Sequence, residues 1–537
     1  MMRRIFAALL TAVLLNPAMI GAGPWRKSVD RTATPIKHLV IIFQENVSFD
    51  HYFGTYPNAL NLPGEHPFHA EPDTPAVNGY SSELLSHNPN LNRANGAGAA
   101  NPFRLSPEQS STADQGHGYT AEQEAFDAGR MDLFPKFTGA GGTAKGKKGS
   151  PEVFNTKGLV LGYYDGNTVT AYWNYAQNFA MNDNSYDTIF GPSTPGAINL
   201  ASGQTNGVID NVNGTGDLIA DENGGQTDIG DGDPIGDVCS TPSGEKFTLG
   251  GKNIGDLLNA ADVSWGFFEG GFDLNVRNAN GTTGCKRSTA SAVSGVNVPD
   301  YIPHHEPFQY YASTANPAHS RPASISEIGH GGPANHQYDI RDFFEVATKG
   351  DLPAVSFLKA PGYQDGHAGY SDPLDEQNFV VTVINFLQAN GEWESTAVII
   401  AYDDSDGWYD HQPSPIVNHS ATAADALSGV GLCGKGRNGS ILVGIDGAKA
   451  QGRCGYGPRL PFLVISPYAR RNFVDHTVTD QTSIIRFIED NWLGEERIGG
   501  GSFDSIAGTI THMFDFDHLR KDILLKLDPH TGEPQVP

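Results

Sequence analysis

The sequence predicts an α/β fold with a mainly parallel central sheet that is covered by helices on both faces. Residues 39–43 (Leu-Val-Ile-Ile-Phe) and 397–402 (Ala-Val-Ile-Ile-Ala-Tyr) are short, continuous apolar runs, which are typical of strands buried on both faces. After residue 252, runs of this kind alternate with segments of helical periodicity. Such alternation favours parallel strands that are joined by crossover helices.

The other elements follow from the same two patterns. The further predicted strands are 263–269, 353–358 and 461–465, and the predicted helices are 121–131, 171–180, 254–261, 343–349, 378–390 and 481–493. Residues 57–160 and 207–250 are rich in Gly, Asn, Asp and Pro, so we expect two loop-rich insertions there that cap the active site. Because the chain shows no internal repeat, we predict a single domain over residues 24–537.

The second insertion contains an acidic stretch, residues 209–236, which includes Asp228, Asp231 and Asp233. Such a stretch could bind calcium, but its spacing does not match an EF-hand loop. We therefore predict a plain, exposed insertion.

The excess of acidic residues limits which kinds of molecule the protein is expected to bind. The chain has 537 residues, with 35 Lys and Arg against 61 Asp and Glu, and a formal net charge of −26. This excess of acidic groups argues against a nucleic acid or an anionic membrane as the main partner. The 64 Gly and 34 Pro residues indicate a loop-rich protein rather than a helical bundle.

The first 23 residues predict an export signal. Arg3 and Arg4 provide a basic start, residues 5–15 are apolar, and residues 18–23 contain small side chains suited to cleavage. The arginine pair also resembles the start of a twin-arginine signal. Because the apolar run is shorter than the ~18 residues that a membrane span needs, we expect no permanent membrane anchor and a secreted or periplasmic protein.

The four cysteines favour an oxidising compartment. They are even in number and lack the C-x-x-C spacing of metal sites, so disulfides are the expected use. The local pairs, Cys239–Cys285 and Cys433–Cys454, are the simplest of three connectivities, and free buried thiols are the alternative.

Both of the buried strands described first end on oxygen ligands. Glu45 and Asn46 follow the first strand, and Asp403 and Asp404 follow the second. Parallel strands bring their carboxyl ends to one edge of the sheet, where open α/β sheets bind ligands. Adjacent carboxylates repel each other, and a cation between them relieves the repulsion. The sequence thus predicts a metal site, although a polar turn would explain either stretch alone.

Ser193 is the candidate nucleophile. It lies in the segment 190–196 (Phe-Gly-Pro-Ser-Thr-Pro-Gly), directly before a helix-like stretch. The start of a helix favours an anion, so a hydroxyl there could attack phosphorus while backbone donors stabilise the developing charge. An N-capping serine is the alternative, and Pro195 excludes the G-x-S-x-G pattern of serine hydrolases.

Histidines cluster in polar loops rich in Gly and Pro. They are His117, His304, His305, His367 and His411. An imidazole can donate to a phosphate or protonate a leaving oxygen. Any one of them alone could be structural, but the adjacent pair at 304 and 305 is the hardest to explain as part of a core.

Together these stretches resemble the phosphoesterase family of bacterial phospholipases C and acid phosphatases, which belongs to the alkaline-phosphatase-like superfamily. The resemblance extends from about residue 37 to residue 492. It rests on the ordered segments 45–54, 190–195, 301–308, 366–373 and 402–411. It implies an alkaline-phosphatase-like three-layer α/β/α sandwich.

The resemblance also implies roles for individual residues. Ser193 would be the nucleophile and form a phosphoseryl intermediate. A divalent metal ion would be held by Glu45, Asn46, Asp403 and Asp404 together with the Ser193 hydroxyl, whose pKa the ion would lower. Phosphate contacts or proton donors would be His117, His304, His305 and His367. His411 matches its motif without a defined role.

The lead interpretation is an exported, metal-dependent phosphoesterase that hydrolyses phosphomonoesters, as acid phosphatases do. The alternative is a phospholipase C that cleaves a phosphodiester headgroup such as that of phosphatidylcholine. Family members that cleave phosphatidylcholine typically have threonine as the nucleophile and extra β domains after the catalytic domain. Serine at position 193, and a chain that ends soon after the last predicted helix, are similar to the acid phosphatase branch.

Two further classes remain as alternatives. A non-catalytic surface or binding protein could use the same scaffold, but the presence of Ser193 and all four predicted ligands speaks against it. A sulfatase is disfavoured because no C-x-P-x-R or S-x-P-x-R run surrounds a candidate nucleophile. Oxygen ligands suit calcium, magnesium or manganese, and zinc or iron could also occupy such a site. The expected partner is a phosphate-ester small molecule or a phospholipid headgroup.

Overall fold

The computed structural model describes residues 32–535, except for residues 144, 146, 147, 215, 222, 428–432, 434–442, 446, 448–451 and 522. The predicted signal peptide, residues 1–23, lies outside the described residues. Within the described part of the chain, no helix has the length and apolar character needed to cross a membrane.

An eight-stranded sheet forms the centre of the fold. Its strands are β1 (His38–Gln44), β2 (Ala180–Asn182), β3 (Trp265–Glu269), β4 (Gln337–Asp339), β5 (Val355–Lys359), β6 (Thr396–Tyr402), β7 (Phe462–Ile465) and β8 (Phe473–Asp475). They lie in the order β4-β3-β5-β1-β6-β7-β2-β8. Strand β7 is antiparallel to its neighbours β6 and β2, and the other neighbouring pairs are parallel. The predicted mainly parallel sheet is confirmed.

The position of β1 explains where the site forms. It pairs with β5 on one side and β6 on the other, and Ile41 is in register with Phe357 and Ile399. Every residue of β1 and β6 is buried, so both faces of the sheet are covered here. Because the three strands are parallel, their carboxyl ends meet at one edge of the sheet.

The predicted helices form in the predicted order with shifted ends, and three short helices that the sequence patterns did not predict form before residue 138. They are α1 (Phe49–Phe53), α2 (Ser82–Ser86), α3 (Tyr119–Phe126), α4 (Phe134–Phe137), α5 (Thr170–Asn178), α6 (Ser193–Ser202), α7 (Ile254–Ala260), α8 (Ile340–Thr348), α9 (Pro373–Ala389) and α10 (Thr482–Trp492). Helix α9 begins at residue 373 rather than 378 because the Asp372 carboxylate accepts from the N–H groups of Leu374 and Asp375. Helix α3 stops before Asp127, which has the left-handed φ of +45° and therefore cannot continue the helix.

Short strands also form outside the central sheet, both in the two insertions and in other loops. A three-stranded sheet combines Val208–Val212, Lys246–Leu249 and Asp233–Pro234, and two-stranded pairs join Phe103–Arg104 with Gly162–Tyr163, Leu218–Ala220 with Gln226–Asp228, Ser288–Ala290 with Asn297–Pro299, and Ser185–Tyr186 with Thr479–Asp480. The prediction of a plain, exposed insertion at residues 209–236 is wrong for Asp228 and Asp233, which are buried, whereas Asp231 is exposed. Asp233 is held inside by the Thr241 N–H group, which donates to its Oδ2 at 2.7 Å.

The cysteines form the two local pairs. Cys239 is bonded to Cys285, and Cys433 is bonded to Cys454. The simplest predicted connectivity is confirmed, and the alternative of free thiols is wrong. Two disulfides are consistent with folding in an oxidising compartment.

Candidate active site

Glu45 lies at the centre of the sheet edge, directly after β1, and is fully buried. Its two carboxylate oxygens have different partners. Oε1 contacts the Lys359 ammonium and lies 3.2 Å from His305 Nδ1, whereas Oε2 accepts from the Ser193 hydroxyl at 2.9 Å. Burial opposes ionisation, but the charges of His305 and Lys359 hold the pKa of Glu45 well below its ordinary value. One carboxylate therefore joins a cationic side of the site to the hydroxyl of the candidate nucleophile.

Ser193 Oγ lies among the predicted metal ligands. It is 3.0 Å from Asp404 Oδ2, 3.2 Å from Asn46 Nδ2 and 3.5 Å from Asn46 Oδ1. The hydroxyl makes no N-capping bond, because Pro192 occupies the cap position. The capping alternative for Ser193 is therefore wrong, and the hydroxyl points at the carboxylates instead.

Two glycines bring Ser193 to this position. Gly191 has a φ of +130°, a backbone conformation that glycine adopts readily, and it turns the chain into α6. Gly196 lies in α6 against the strand end: a Cβ atom there would lie 2.0 Å from the Asp403 carbonyl oxygen. The helix that begins at Ser193 can pack this closely on the loop after β6 only because residue 196 has no side chain.

The acidic groups fit a divalent metal ion. Carboxylate oxygens of Glu45, Asp403 and Asp404 lie within 4.8 Å of one another, and all three residues are buried. Burial raises the pKa of Asp404 to about 7, and burial together with the charge of Glu45 raises the pKa of Asp403 well above its ordinary value. Carboxylates that are costly to ionise in this way are stabilised by a cation. With Asn46 and the Ser193 hydroxyl, they form the hard oxygen donor set that such ions prefer.

Two of the predicted histidines, His117 and His304, each have a loop carboxylate as partner that is not among the predicted metal ligands. His117 Nδ1 lies 3.0 Å from Asp406 Oδ1, and His304 Nδ1 lies 3.4 Å from Asp233 Oδ1. Burial lowers the pKa of both imidazoles, but the net effect is a rise. Asp404 and Asp406 raise the pKa of His117 well above its ordinary value, and Asp233 raises that of His304. Both imidazoles can therefore act as cationic donors to an anionic substrate.

The other two predicted histidines have different surroundings. His305 lies against Glu45, and its ring centre is 4.6 Å from that of His304. His367 stacks on Tyr370 with ring centres 4.4 Å apart, and burial lowers its pKa. The rings of His367 and His117 are 5.7 Å apart. The four histidines thus lie near the carboxylates, and their roles as phosphate contacts or proton donors stay predictions.

His411 takes part in a different cluster. Its Nδ1 lies 2.6 Å from Asp50 Oδ2, and Arg459 Nη2 lies 3.0 Å from the other oxygen of Asp50. Asp410 is a second carboxylate partner of Arg459, at 3.1 Å. This buried network connects α1 with the loop after β6, which gives His411 a structural position.

Sequence reasoning missed three side chains that contact the site. Lys359 closes β5, and although burial opposes its charge, Asp403 and Glu45 raise its pKa. Asp233 supports His304. Glu122 accepts from the Gly191 N–H group at 2.9 Å and from the Ser405 hydroxyl at 2.8 Å, and burial raises its pKa to about 8. Lys359 could have been found from the sequence, because a lysine at the end of an apolar strand is unusual. The contacts of Asp233 and Glu122 depend on loop conformation and have no such signal.

The profile of the Phosphoesterase family matches residues 36–493. The chain belongs to the phosphoesterase family. The match includes all the predicted site residues, and it confirms both the resemblance and the predicted class of enzyme, a phosphoric ester hydrolase.

Similar proteins carry more specific names. The chain is 24% identical over 517 residues to a non-hemolytic phospholipase C of Burkholderia pseudomallei, covering 94% of this chain and 61% of the relative. It is 26% identical over 496 residues to a non-hemolytic phospholipase C of Pseudomonas aeruginosa, covering 90% of this chain and 57% of the relative. The chain therefore spans less than two thirds of the length of these relatives.

Among solved structures, murine ectonucleotide pyrophosphatase / phosphodiesterase 5 aligns with 65% of this chain and 95% of its own chain. The identity is 14% and the TM-score is 0.30. At these values the likeness supports no assignment of fold or function.

Proposed function

We propose that this phosphoesterase is an exported phospholipase C that cleaves a phosphodiester headgroup with Ser193 as the nucleophile. The observation that carries the proposal is the position of Ser193 Oγ, at 2.9 Å from Glu45 and 3.0 Å from Asp404 in a buried carboxylate cluster. The names of the similar proteins support a phosphodiester more than the phosphomonoester of the lead sequence interpretation.

The reaction proceeds in two displacements. Ser193 Oγ forms a bond to phosphorus while the bond from phosphorus to the leaving alcohol breaks, and the hydroxyl proton passes to a neighbouring carboxylate. A cationic imidazole, His117 or His304, donates a proton to the leaving oxygen. Water then attacks the phosphorus of the intermediate, in which Ser193 Oγ carries the phosphoryl group with its headgroup still attached. The bond from phosphorus to Oγ breaks, Oγ recovers its proton from the carboxylate, a proton of the water passes to the imidazole, and the phosphorylated headgroup is released.

The residues that would hold a divalent ion are Glu45, Asn46, Asp403 and Asp404, together with the Ser193 hydroxyl. Such an ion supplies Lewis acidity that lowers the pKa of the hydroxyl and offsets charge on the phosphoryl oxygens. His305 and His367 would lie beside the remaining phosphate oxygens.

We extend the proposal to the architecture around the site. A three-layer α/β/α sandwich over residues 24–537 would present this edge, with the insertions 57–160 and 207–250 covering it. This is supported by His117 of the first insertion and Asp233 of the second, because His117 lies among the site residues and Asp233 pairs with His304. Export by the N-terminal signal fits the two disulfides.

A phosphomonoesterase is the second candidate, because serine rather than threonine occupies the nucleophile position. Parallel assays with an aryl phosphorylcholine and an aryl phosphate separate the two. We expect the metal-loaded enzyme to hydrolyse the diester at least about ten times faster, a difference of ~1.4 kcal/mol in barrier. Activity on the aryl phosphate alone would establish the second candidate instead.

The nucleophile is tested by Ser193→Ala, for which we expect a loss of ~10³-fold or more in kcat. The matched control is Ser326→Ala at an exposed position, which keeps full activity. Mass spectrometry of enzyme quenched during turnover of the aryl phosphorylcholine should find a phosphorylcholine group added to Ser193. Unchanged hydrolysis by Ser193→Ala would remove the proposed mechanism.

A further inference from the structure

Lys359 is a fully buried lysine whose ammonium group lies inside the carboxylate cluster. It is the last residue of β5, and its Nζ contacts Glu45 Oε1 and lies 3.0 Å from Asp403 Oδ2. The sheet order places β5 and β6 on either side of β1. The lysine and its two carboxylate partners therefore come from three adjacent strands, each at its carboxyl end.

The contacts of Glu45 divide the cluster into two sides. Oε1 lies on the side of the Lys359 ammonium, and Oε2 lies on the side of the Ser193 hydroxyl. Asp403 Oδ2 belongs to the lysine side, and Asp404 Oδ2 belongs to the hydroxyl side, 3.0 Å from Ser193 Oγ. Lys359 thus holds the side of the cluster opposite the nucleophile and leaves the oxygens around Ser193 available to an ion.

The charges also match. Glu45, Asp403 and Asp404 carry three negative charges when ionised, and Lys359 offsets one, which leaves the two that a divalent cation balances. An unpaired charge in a buried site is strongly destabilising. Without Lys359, Asp403 would lose the ammonium beside its Oδ2 and Glu45 would keep only His305 next to its Oε1 whenever the metal is absent.

We propose that Lys359 is a built-in cation that positions Glu45 and Asp403 for the metal and keeps them in place when no metal is bound. This inference rests on the proposed metal-dependent function. It makes Lys359 a positioning residue, and it predicts that the metal-free protein stays folded with its ligands already arranged.

The test is the variant Lys359→Met in the full-length protein, with thermal unfolding measured in chelator and with saturating manganese. In chelator we expect the melting temperature to fall by about 5 °C or more relative to wild type. Manganese should raise the melting temperature more in the variant than in wild type, because the ion then supplies the positive charge that Lys359 supplies in wild type. Lys349→Met, at an exposed position, is the matched control and should behave as wild type.

Two further variants keep the test decisive if Lys359→Met folds poorly. Lys359→Arg retains the charge and should keep most of the metal-free stability. In chelator, the double variant Lys359→Met with Asp403→Asn should lose less melting temperature than the sum of the losses of the two single variants. Each single change leaves the other residue's charge unpaired, and the double change removes both charges. The inference would be overturned if the losses in melting temperature of the two single variants added up in the double variant. It would also be overturned if metal-free Lys359→Met melted at the same temperature as wild type.

The outcomes also separate this inference from the proposed function. If wild-type protein gains neither stability nor activity with any divalent ion, the metal-dependent function fails, while the melting temperatures in chelator still decide whether Lys359 holds the carboxylates. If wild type is metal-dependent and Lys359→Met matches it in both conditions, only the inference about Lys359 fails.

Discussion

The site is supplied by two regions that differ in how they hold their side chains. At the edge of the sheet, Glu45, Lys359 and Asp403 are fully buried, and the pairing of three parallel strands sets their spacing. In the loops, His117 and His304 are partly exposed, with side-chain exposures of 14% and 26%, and each depends on a carboxylate partner. The residues at the sheet edge therefore determine the charge of the site. The carboxylates in the loops determine the protonation state of His117 and His304, the groups that would contact the substrate.

The largest expected effect comes from the sheet edge. Glu45→Gln keeps the shape of the side chain but removes the charge shared by Lys359 and the Ser193 hydroxyl. We expect a loss of ~10³-fold or more in metal-dependent turnover. Isothermal titration should show weakened binding of manganese, while circular dichroism reports a retained fold. Metal-dependent turnover at the wild-type rate would mean that the cluster is not the metal site.

A smaller effect is expected in the loops. Asp233→Asn keeps the bond from the Thr241 N–H group but removes the charge that raises the pKa of His304. If the cationic form of His304 is the active one, the alkaline limb of the kcat/KM profile moves to lower pH, and the rate at neutral pH falls about tenfold.

The control for this variant is Asp210→Asn, an exposed residue of the same insertion, which should leave the profile unchanged. If Asp233→Asn has the wild-type pH profile of kcat/KM, Asp233 does not control the protonation of His304. The second insertion would then contribute packing alone, and only His117 would still support the contrast between the sheet edge and the loops.

The smallest effect concerns stability behind the sheet edge. Glu376 in α9 accepts from Tyr52 and Tyr402 at 2.7 and 2.8 Å, and burial raises its pKa to about 8. An acid whose folded-state pKa lies above the unfolded value stabilises the fold fully below the unfolded pKa, about 4.3. This contribution is lost as pH rises towards 8, by at most ~1.4 kcal/mol per pH unit.

Glu376→Gln should therefore lose less stability than wild type between about pH 5 and pH 8, as measured by urea unfolding. The control is Glu345→Gln, at an exposed position, and it should follow wild type. Parallel pH dependences in all three proteins would show that the carboxyl group of Glu376 ionises in the folded state as easily as in the unfolded chain.

The sequence predicts the sheet edge better than the loops, for a physical reason. The apolar runs before Glu45 and Asp403 reveal both strands, and parallel pairing then requires their ends to meet. Strands β2 and β8 have three residues each, too few to show a period, so neither was predicted. The contacts of Asp233 and Glu122 join segments far apart in the chain, and no local pattern encodes them.

The packing of Gly196 on Asp403 has a consequence for how the site tolerates change. The helix that begins at Ser193 and the loop that carries Asp403 and Asp404 touch through main-chain atoms, without a side chain between them. The spacing of the nucleophile and the ligands therefore depends on a direct backbone contact. The addition of a methyl group at residue 196 would push the helix and the loop apart.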